Sequence, residues 1–377
     1  MTNGLKINMN SSSLKPKILI APLDWGLGHA TRCIPVIKTL LKNNCSVLIA
    51  AQGQTKFLLQ KEFPQLDSVE LKGYHINYSK NKWSLPFVIA GQIPKIISTI
   101  QDENQRLKDI VKEHSVDGII SDNRFGLYHQ SIPSVFITHQ LMIKTFLGNS
   151  ADHLLQKINY NYINRFTECW IPDNEGSGNL AGELSHPEKK PSIPVHYIGP
   201  LSRFEKVPQK ENHLLILLSG PEPQRTILEN LLAEQLKDYK GKVVLLRGLP
   251  AETSELKLPQ NISVYNHLPA GELNKVLADA SLVIGRCGYS TVMDLALLQK
   301  KSILIPTPGQ TEQEYLSKYL MKNNFALCVS QNKFILKNAL NLSENFNYKL
   351  VGFDDPLRLE SVVDRFIYEI NTGKNAI

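Results

Sequence analysis

The chain has 377 residues, is 42% hydrophobic and 20% charged, and carries a formal net charge of +7. This composition excludes a disordered, collagen-like or disulfide-dense chain, and the length exceeds one ordinary core, so two domains with a cleft between them are expected. The basic excess sits in the first 200 residues, with 21 Lys and Arg against 16 Asp and Glu, and no block is dense enough for a nucleic-acid arm.

From Met1 to about residue 16 the chain is polar and is expected to be a flexible N-terminus without the apolar core of a secretory signal. Lys17-Ile-Leu-Ile-Ala21 reads as a buried strand. It runs into the Gly-containing turn Pro22 to His29 and then the helical pattern Cys33 to Leu41. Ser46 to Ala51, Val116 to Ser121 and Ser134 to Thr138 repeat the strand texture between helical stretches. Residues 172 to 208 turn to Gly, Ser, Pro and Lys and read as a loop-and-linker zone. A second series follows with Leu214 to Gly220, Lys242 to Leu246, Leu282 to Ile284 and Ser302 to Ile305, and Pro356 to Ile370 has the pattern of an amphipathic helix. Alternating strands and helices imply two doubly wound parallel sheets, an α/β fold. The expected domains are 17–200 and 201–355, with residues 356–377 as a terminal helix packing back on the first domain.

Five scattered cysteines, none in a zinc-type spacing, read as reduced thiols in a cytoplasmic protein. No stretch reaches the roughly 18 apolar residues of a spanning helix, so any membrane contact is peripheral. Residues 80–97 combine Trp83, Phe87 and Ile89 with Lys80, Lys82 and Lys95, which suits an anionic lipid surface as well as it suits a buried helix.

Open parallel sheets bind ligands beyond the C-terminal ends of their strands, and four segments fall there. In Gly26-Leu-Gly-His29 the glycines admit close approach, and His29 is placed to take a proton from a hydroxyl, a capping histidine being the plainer reading. Asp24 and Asp122 stand at strand ends as alternative bases. In the turn that opens the second domain, Ser219 and Gly220 can donate to a phosphate that Arg225 neutralises. In Gly285 to Asp294, the residues Gly288, Tyr289, Ser290 and Thr291 open a helix whose free N–H groups suit a diphosphate, and Asp294 suits a ribose diol. Dipole compensation by Asp294 and a surface role for Arg286 are the plainer readings. In Ile305 to Tyr315, Gln310, Gln313 and Glu314 suit sugar hydroxyls, while Thr311 and Glu314 also have capping-box spacing.

Taken together, these segments resemble the GT-B glycosyltransferases of family 28, which includes the lipid II-forming N-acetylglucosaminyltransferase. The likeness runs from about Lys17 to Leu327 and is strongest from His267 to Tyr319. It implies a GT-B fold, two Rossmann-like domains facing a cleft. It also implies that Leu268 and the loop around it, His267 included, lie at the base, Asp294 at the ribose, Gly288 to Thr291 at the diphosphate, and Gln313 and Glu314 at the donor sugar; Arg286 is a further candidate for binding the donor nucleotide. Arg203 in Gly199-Pro-Leu-Ser-Arg203 looks like a second phosphate clamp, and Gly26, Gly28 and His29 match the family's N-terminal loop. The family's paired glutamines are Gln313-Glu314 here, and Gly28-His-Ala-Thr-Arg-Cys33 is similar to the loop of a GT-B hydrolase of UDP-linked amino sugars.

The activity this implies is inverting transfer of a hexose or N-acetylhexosamine from a UDP-sugar to an acceptor hydroxyl on a small molecule, a lipid-linked group or a cell-envelope glycan. It would run on the inner face of the cytoplasmic membrane, with no cofactor and no metal. UDP-sugar hydrolysis is the alternative, and a non-catalytic sugar-nucleotide sensor a third. Acceptor choice is expected in the loops Gly73 to Ser98 and His139 to His153.

Overall fold

The computed structural model describes residues 15–74, 85–249, 254, 256–353, 355 and 357–374, with side chains omitted for 85–93 and 374. The first sheet has seven parallel strands: β1 (Lys17–Pro22), β2 (Ser46–Ala51), β3 (Asp67–Glu70), β4 (Gly118–Asp122), β5 (Ser134–Ile137), β6 (Glu168–Ile171) and β7 (Val195–Tyr197). Their order is β3-β2-β1-β4-β5-β6-β7. Helices α1 (Leu27–Lys42), α2 (Gly53–Glu62), α3 (Leu85–His114) and α4 (Asn149–Ile163) make the crossovers.

The second sheet has six parallel strands, β8 (His213–Leu217), β9 (Val243–Leu246), β10 (Ile262–Tyr265), β11 (Ala280–Arg286), β12 (Ser302–Ile305) and β13 (Leu327–Cys328), in the order β10-β9-β8-β11-β12-β13. Its helices are α5 (Gln224–Leu236), α6 (Ala270–Ala278), α7 (Tyr289–Leu298), α8 (Thr311–Lys322) and α9 (Leu336–Glu344), and α10 (Arg358–Lys374) ends the described chain. In both sheets the order reverses where a crossover skips a strand, at β1/β4 and at β8/β11. Each reversal opens a crevice at the strands' C-terminal ends.

Central strands such as Ile18-Leu-Ile-Ala21 are buried on both faces, as parallel strands covered by helices must be. The zone expected to be linker is only partly so, because Val195–Tyr197 adds the seventh strand to the first sheet.

Helix α10 returns to the first sheet. Its Phe366 stands edge-on to the buried Trp170 at 5.7 Å, and Arg365 pairs with Glu168 at 2.5 Å. Gly118 makes room for it, since a Cβ there would lie 2.6 Å from Ile370. Phe366→Ala should cost about 3–5 kcal/mol, the usual range for emptying a buried aromatic site. Urea denaturation is the check, and a loss below about 1 kcal/mol would mean that the helix is not needed for the first domain's core.

One apolar cluster joins Ile34 and Ile37 of α1, Leu180 and Leu201 of the connecting segment, and Tyr289 and Met293 of α7. The two sheets therefore meet across a packed seam beside the crevices. Among the described residues no helix is long and apolar enough to cross a membrane. Of the segment 80–97, residues 80–84 and the side chains of 85–93 lie outside the description, Trp83, Phe87 and Ile89 included.

Candidate active site

The register of the first sheet sets Pro22 beside Asp122, so β1 and β4 end at the same level. Gly26, at φ 110°, turns the chain out of β1 into α1, and this places His29 and Arg32 one turn apart on the same helix face. Both reach the buried Asp122. Arg32 Nε donates to the two carboxylate oxygens at 3.0 and 2.8 Å, and its Nη2 also contacts Oδ1. His29 Nδ1 lies 3.2 Å from Asp122 Oδ2 and 2.9 Å from Arg32 Nη2.

Burial alone would raise the Asp122 carboxyl, but Arg32 and His29 hold it at about 2. Burial and the Arg32 cation lower His29, with Asp122 acting against them. A neutral His29 is thus held at physiological pH. His29 Nδ1 has both a donor, Arg32 Nη2, and an acceptor, Asp122, within reach; in the tautomer that gives Nδ1–H to Asp122, Arg32 Nη2 donates to Asp122 alone and Nε2 is free to accept a proton.

The network continues across the domain seam. Arg32 Nη1 lies 3.3 Å from His139 Nδ1, and His139 Nε2 lies 2.8 Å from Glu312 Oε1 at the start of α8. A guanidinium can only donate, so His139 accepts at Nδ1 and donates from Nε2. Gln140 adds a 2.6 Å bond to Glu312 Oε2. Against burial, His139 and Arg32 lower the Glu312 carboxyl. The His139 ring stacks on Tyr289 at 4.2 Å, and Tyr289 donates to the Pro172 carbonyl at 2.7 Å. Sequence reasoning missed Arg32, His139 and Glu312; the one signal available was the i,i+3 spacing of His29 and Arg32.

Helix α7 begins at Tyr289 with Gly288 as its N-cap, and no side chain caps it. Its opening turn abuts α1, since a Cβ on Gly28 would lie 2.6 Å from Ser290 Oγ. A side chain at Gly28 would force Ser290 Oγ to move. Thr291 lies in the same turn. Asp294, one turn further along, accepts a 2.6 Å bond from Ser202, and burial raises its carboxyl to about 7 although Ser202 and Arg203 oppose the shift. Arg203 lies beside it with a buried Nε that has no partner among the described residues, and burial lowers its guanidinium.

Arg286 is buried rather than a surface charge. Its Nη2 donates to the Gln224 carbonyl at 2.6 Å, no carboxylate among the described residues pairs with it, and burial lowers it to about 10. Ser219 and Gly220 lie exposed beyond β8, His267 is exposed beyond β10, and Leu268 is buried.

Three expectations meet a different geometry. Arg225 is buried in ion pairs with Glu222 at 2.5 Å and Glu229 at 2.8 Å, and Glu229 also holds Arg247, so its guanidinium is occupied within the domain. Gln313 points inward, accepting from Thr307 N at 3.0 Å and bonding to Gln310. The capping box is shifted: Gln310 is the N-cap of α8, and Glu314 accepts from Gly309 N at 3.0 Å. Gln310, Gln313 and Glu314 thus shape the loop, and Glu312 is the α8 carboxylate that reaches the seam. Asp24 accepts from Gln52 at 3.3 Å and lies apart from the Asp122 network.

Residues 225–349 match the model of the glycosyltransferase family 28 C-terminal domain. A protein named as an uncharacterized glycosyltransferase from Methanosarcina mazei is 22% identical over 320 residues, 79% of this chain and 81% of its own. The UDP-N-acetylglucosamine--N-acetylmuramyl-(pentapeptide) pyrophosphoryl-undecaprenol N-acetylglucosamine transferase of Listeria monocytogenes is 24% identical over 333 residues, 83% of this chain and 85% of its own. Among solved structures, the glycotransferase of kitacinnamycin superposes with a TM-score of 0.63 at 14% identity, covering 95% of this chain and 96% of its own.

The fold, the cleft and these matches together define a glycosyltransferase of GT-B architecture. Within that class the chain resembles family 28, and residues 225–349 match that family's C-terminal domain model. The hydrolase alternative is not favoured.

Proposed function

We propose that the protein transfers a sugar from a UDP-sugar to an acceptor hydroxyl with inversion, and that His29 is the base. The observation that carries this reading is the His29–Asp122 pair at the ends of β1 and β4, which sits against the opening turn of α7. His29 Nε2 takes the acceptor proton, the acceptor oxygen attacks the anomeric carbon from the face opposite the nucleotide, and the nucleoside diphosphate leaves. Negative charge then grows on the diphosphate. The free N–H groups at the start of α7 and the guanidiniums of Arg203 and Arg286 supply donors for it, and Asp294 takes the ribose diol.

The Listeria relative's name gives UDP-N-acetylglucosamine as donor and a pyrophosphoryl-undecaprenol acceptor. By that likeness we take a lipid-linked or cell-envelope acceptor, used at the inner face of the cytoplasmic membrane, with 17–200 as the acceptor domain and 201–355 as the donor domain.

A thermal-shift panel of UDP-, GDP- and TDP-sugars tests the donor. A UDP-sugar at 100 times its Kd should stabilise the protein by roughly 2.7 kcal/mol, with smaller shifts for the others. Equal shifts for all three, or none, would overturn the UDP assignment.

A further inference from the structure

His139 follows β5 and stands between the two domains. On one side its Nδ1 accepts from Arg32 Nη1 at 3.3 Å, and on the other its Nε2 donates to Glu312 Oε1 at 2.8 Å, at the start of α8. Its ring lies flat on that of Tyr289, the first residue of α7, at 4.2 Å and an interplanar angle of 11°. One side chain, only 6% exposed, therefore touches the opening turns of both α7 and α8 and also the arginine that serves Asp122.

Arg32 makes that position consequential. Its guanidinium is buried and presents its N–H groups in a rigid planar fork, so each edge needs an acceptor. Nε and Nη2 face the Asp122 carboxylate, and Nη1 faces His139. Two contacts along one edge leave a planar group free to tilt about that edge, and the contact at Nη1 removes the freedom.

The tilt matters because Nη2 also lies 2.9 Å from His29 Nδ1, which is itself 3.2 Å from Asp122 Oδ2. When His29 Nδ1 carries the ring proton, it donates to Asp122, and Nε2 keeps the lone pair that a base needs. When Nδ1 instead accepts from Arg32, the proton is on Nε2 and the ring cannot act as a base. A charge-assisted bond to a carboxylate is roughly twice as strong as one between neutral groups, so a guanidinium seated squarely on Asp122 selects the first form. One that tilts toward His29 selects the second.

We propose that His139 is a positioning residue for the base: by anchoring Arg32 Nη1 it fixes the guanidinium on Asp122 and so keeps the proton of His29 on Nδ1. This rests on the reading of His29 as the base. Glu312 and Tyr289 hold His139 in turn, so the second domain readies the base of the first. A chain whose α8 has moved away from His139 carries His29 in the form that cannot take a proton.

The test is long-range 1H–15N NMR on the full chain labelled in its histidine rings, at about pH 8, where His29, lowered by burial and by Arg32, is neutral. The spectrum reads which ring nitrogen carries the proton and needs no substrate, and His29→Ala identifies the His29 signals. The parent should show His29 protonated on Nδ1 and His139 on Nε2. His139→Phe keeps a flat ring against Tyr289 but removes both hydrogen bonds, and it should move His29 to the Nε2–H form. His139→Gln loses the ring but keeps an oxygen to accept from Arg32 and an N–H to donate to Glu312, and it should leave the His29 proton on Nδ1. A role in packing alone predicts the reverse order. Glu312→Ala, in the other domain and at a side chain 32% exposed, should move His29 as His139→Phe does, and it decides the matter should His139→Phe not fold. An unchanged His29 in either folded variant overturns the proposal, as does a change in His139→Gln as large as in His139→Phe. His29 protonated on Nε2 in the parent would instead overturn the base reading itself, so the two fail separately.

Discussion

Asp122→Asn is expected to lower kcat by about 10²–10⁴-fold with little change in donor KM. Asp122 is ionised at every working pH, because Arg32 and His29 hold its carboxyl at about 2 against burial. The amide keeps the shape but loses the charge that orients His29 Nδ1–H and stabilises the imidazolium formed when the acceptor proton arrives. It also leaves the buried Arg32 guanidinium without its counter-ion, so a loss of roughly 3–5 kcal/mol in stability should accompany the kinetic defect. The two effects separate by comparison. His29→Ala removes the base but keeps the Arg32–Asp122 pair, so it should show the same loss of kcat with most of the stability retained. The double variant should be little slower than either single one, since groups acting as a unit are not additive.

The pH dependence of stability has a fixed sign. The folded carboxyl lies below its ordinary 3.8, so its contribution is complete above about pH 4 and is lost as pH falls toward 2. Full kcat in His29→Ala, measured with a confirmed donor and acceptor, would sink the assignment.

Much of the architecture was legible because parallel central strands must be apolar on both faces. Ser46–Ala51 and Ser302–Ile305 stand out as such runs and are strands with those limits. Strands toward the sheet edges carry no such run. Asp67–Glu70 is polar at three of its four residues, Val195-His-Tyr197 is embedded in a proline-rich stretch, and Leu327–Cys328 is two residues long. They are strands because a neighbour offers its edge, which is tertiary information.

The candidate site divides in the same way. His29 and Asp122 were readable as polar residues at strand ends, but their pairing over 93 positions follows from β1 and β4 being neighbours. The same holds for His139 and Glu312, 173 positions apart and joined only across the seam. Arg225 shows the converse. Its place after a strand-to-helix turn fitted a phosphate, yet the fold supplies Glu222 and Glu229, each about one helical turn away, and the buried cation pairs with both.

Asp294 should make donor binding acid-sensitive. Burial raises its carboxyl to about 7, with the Ser202 bond and Arg203 opposing. A ribose diol offers two O–H donors, and only the carboxylate form accepts both. Proton binding below that pH removes one acceptor, so the Kd of a UDP-sugar should rise by up to about tenfold per pH unit as pH falls below 7. The probe must be the sugar diphosphate ester, whose phosphates stay fully ionised over this range; free UDP would add its own titration.

Stability should move the opposite way. Between 3.8 and about 7 the folded chain holds a proton that the unfolded chain has released, so stability falls as pH rises through this window. Asp294→Asn should therefore raise Tm at pH 8 while weakening donor binding by roughly 10–100-fold, the worth of a charged hydrogen-bond acceptor. It should also flatten the pH dependence of Kd. A variant that binds the donor as tightly as the parent from pH 5.5 to 8 would remove Asp294 from the ribose and leave its carboxyl bonded to Ser202.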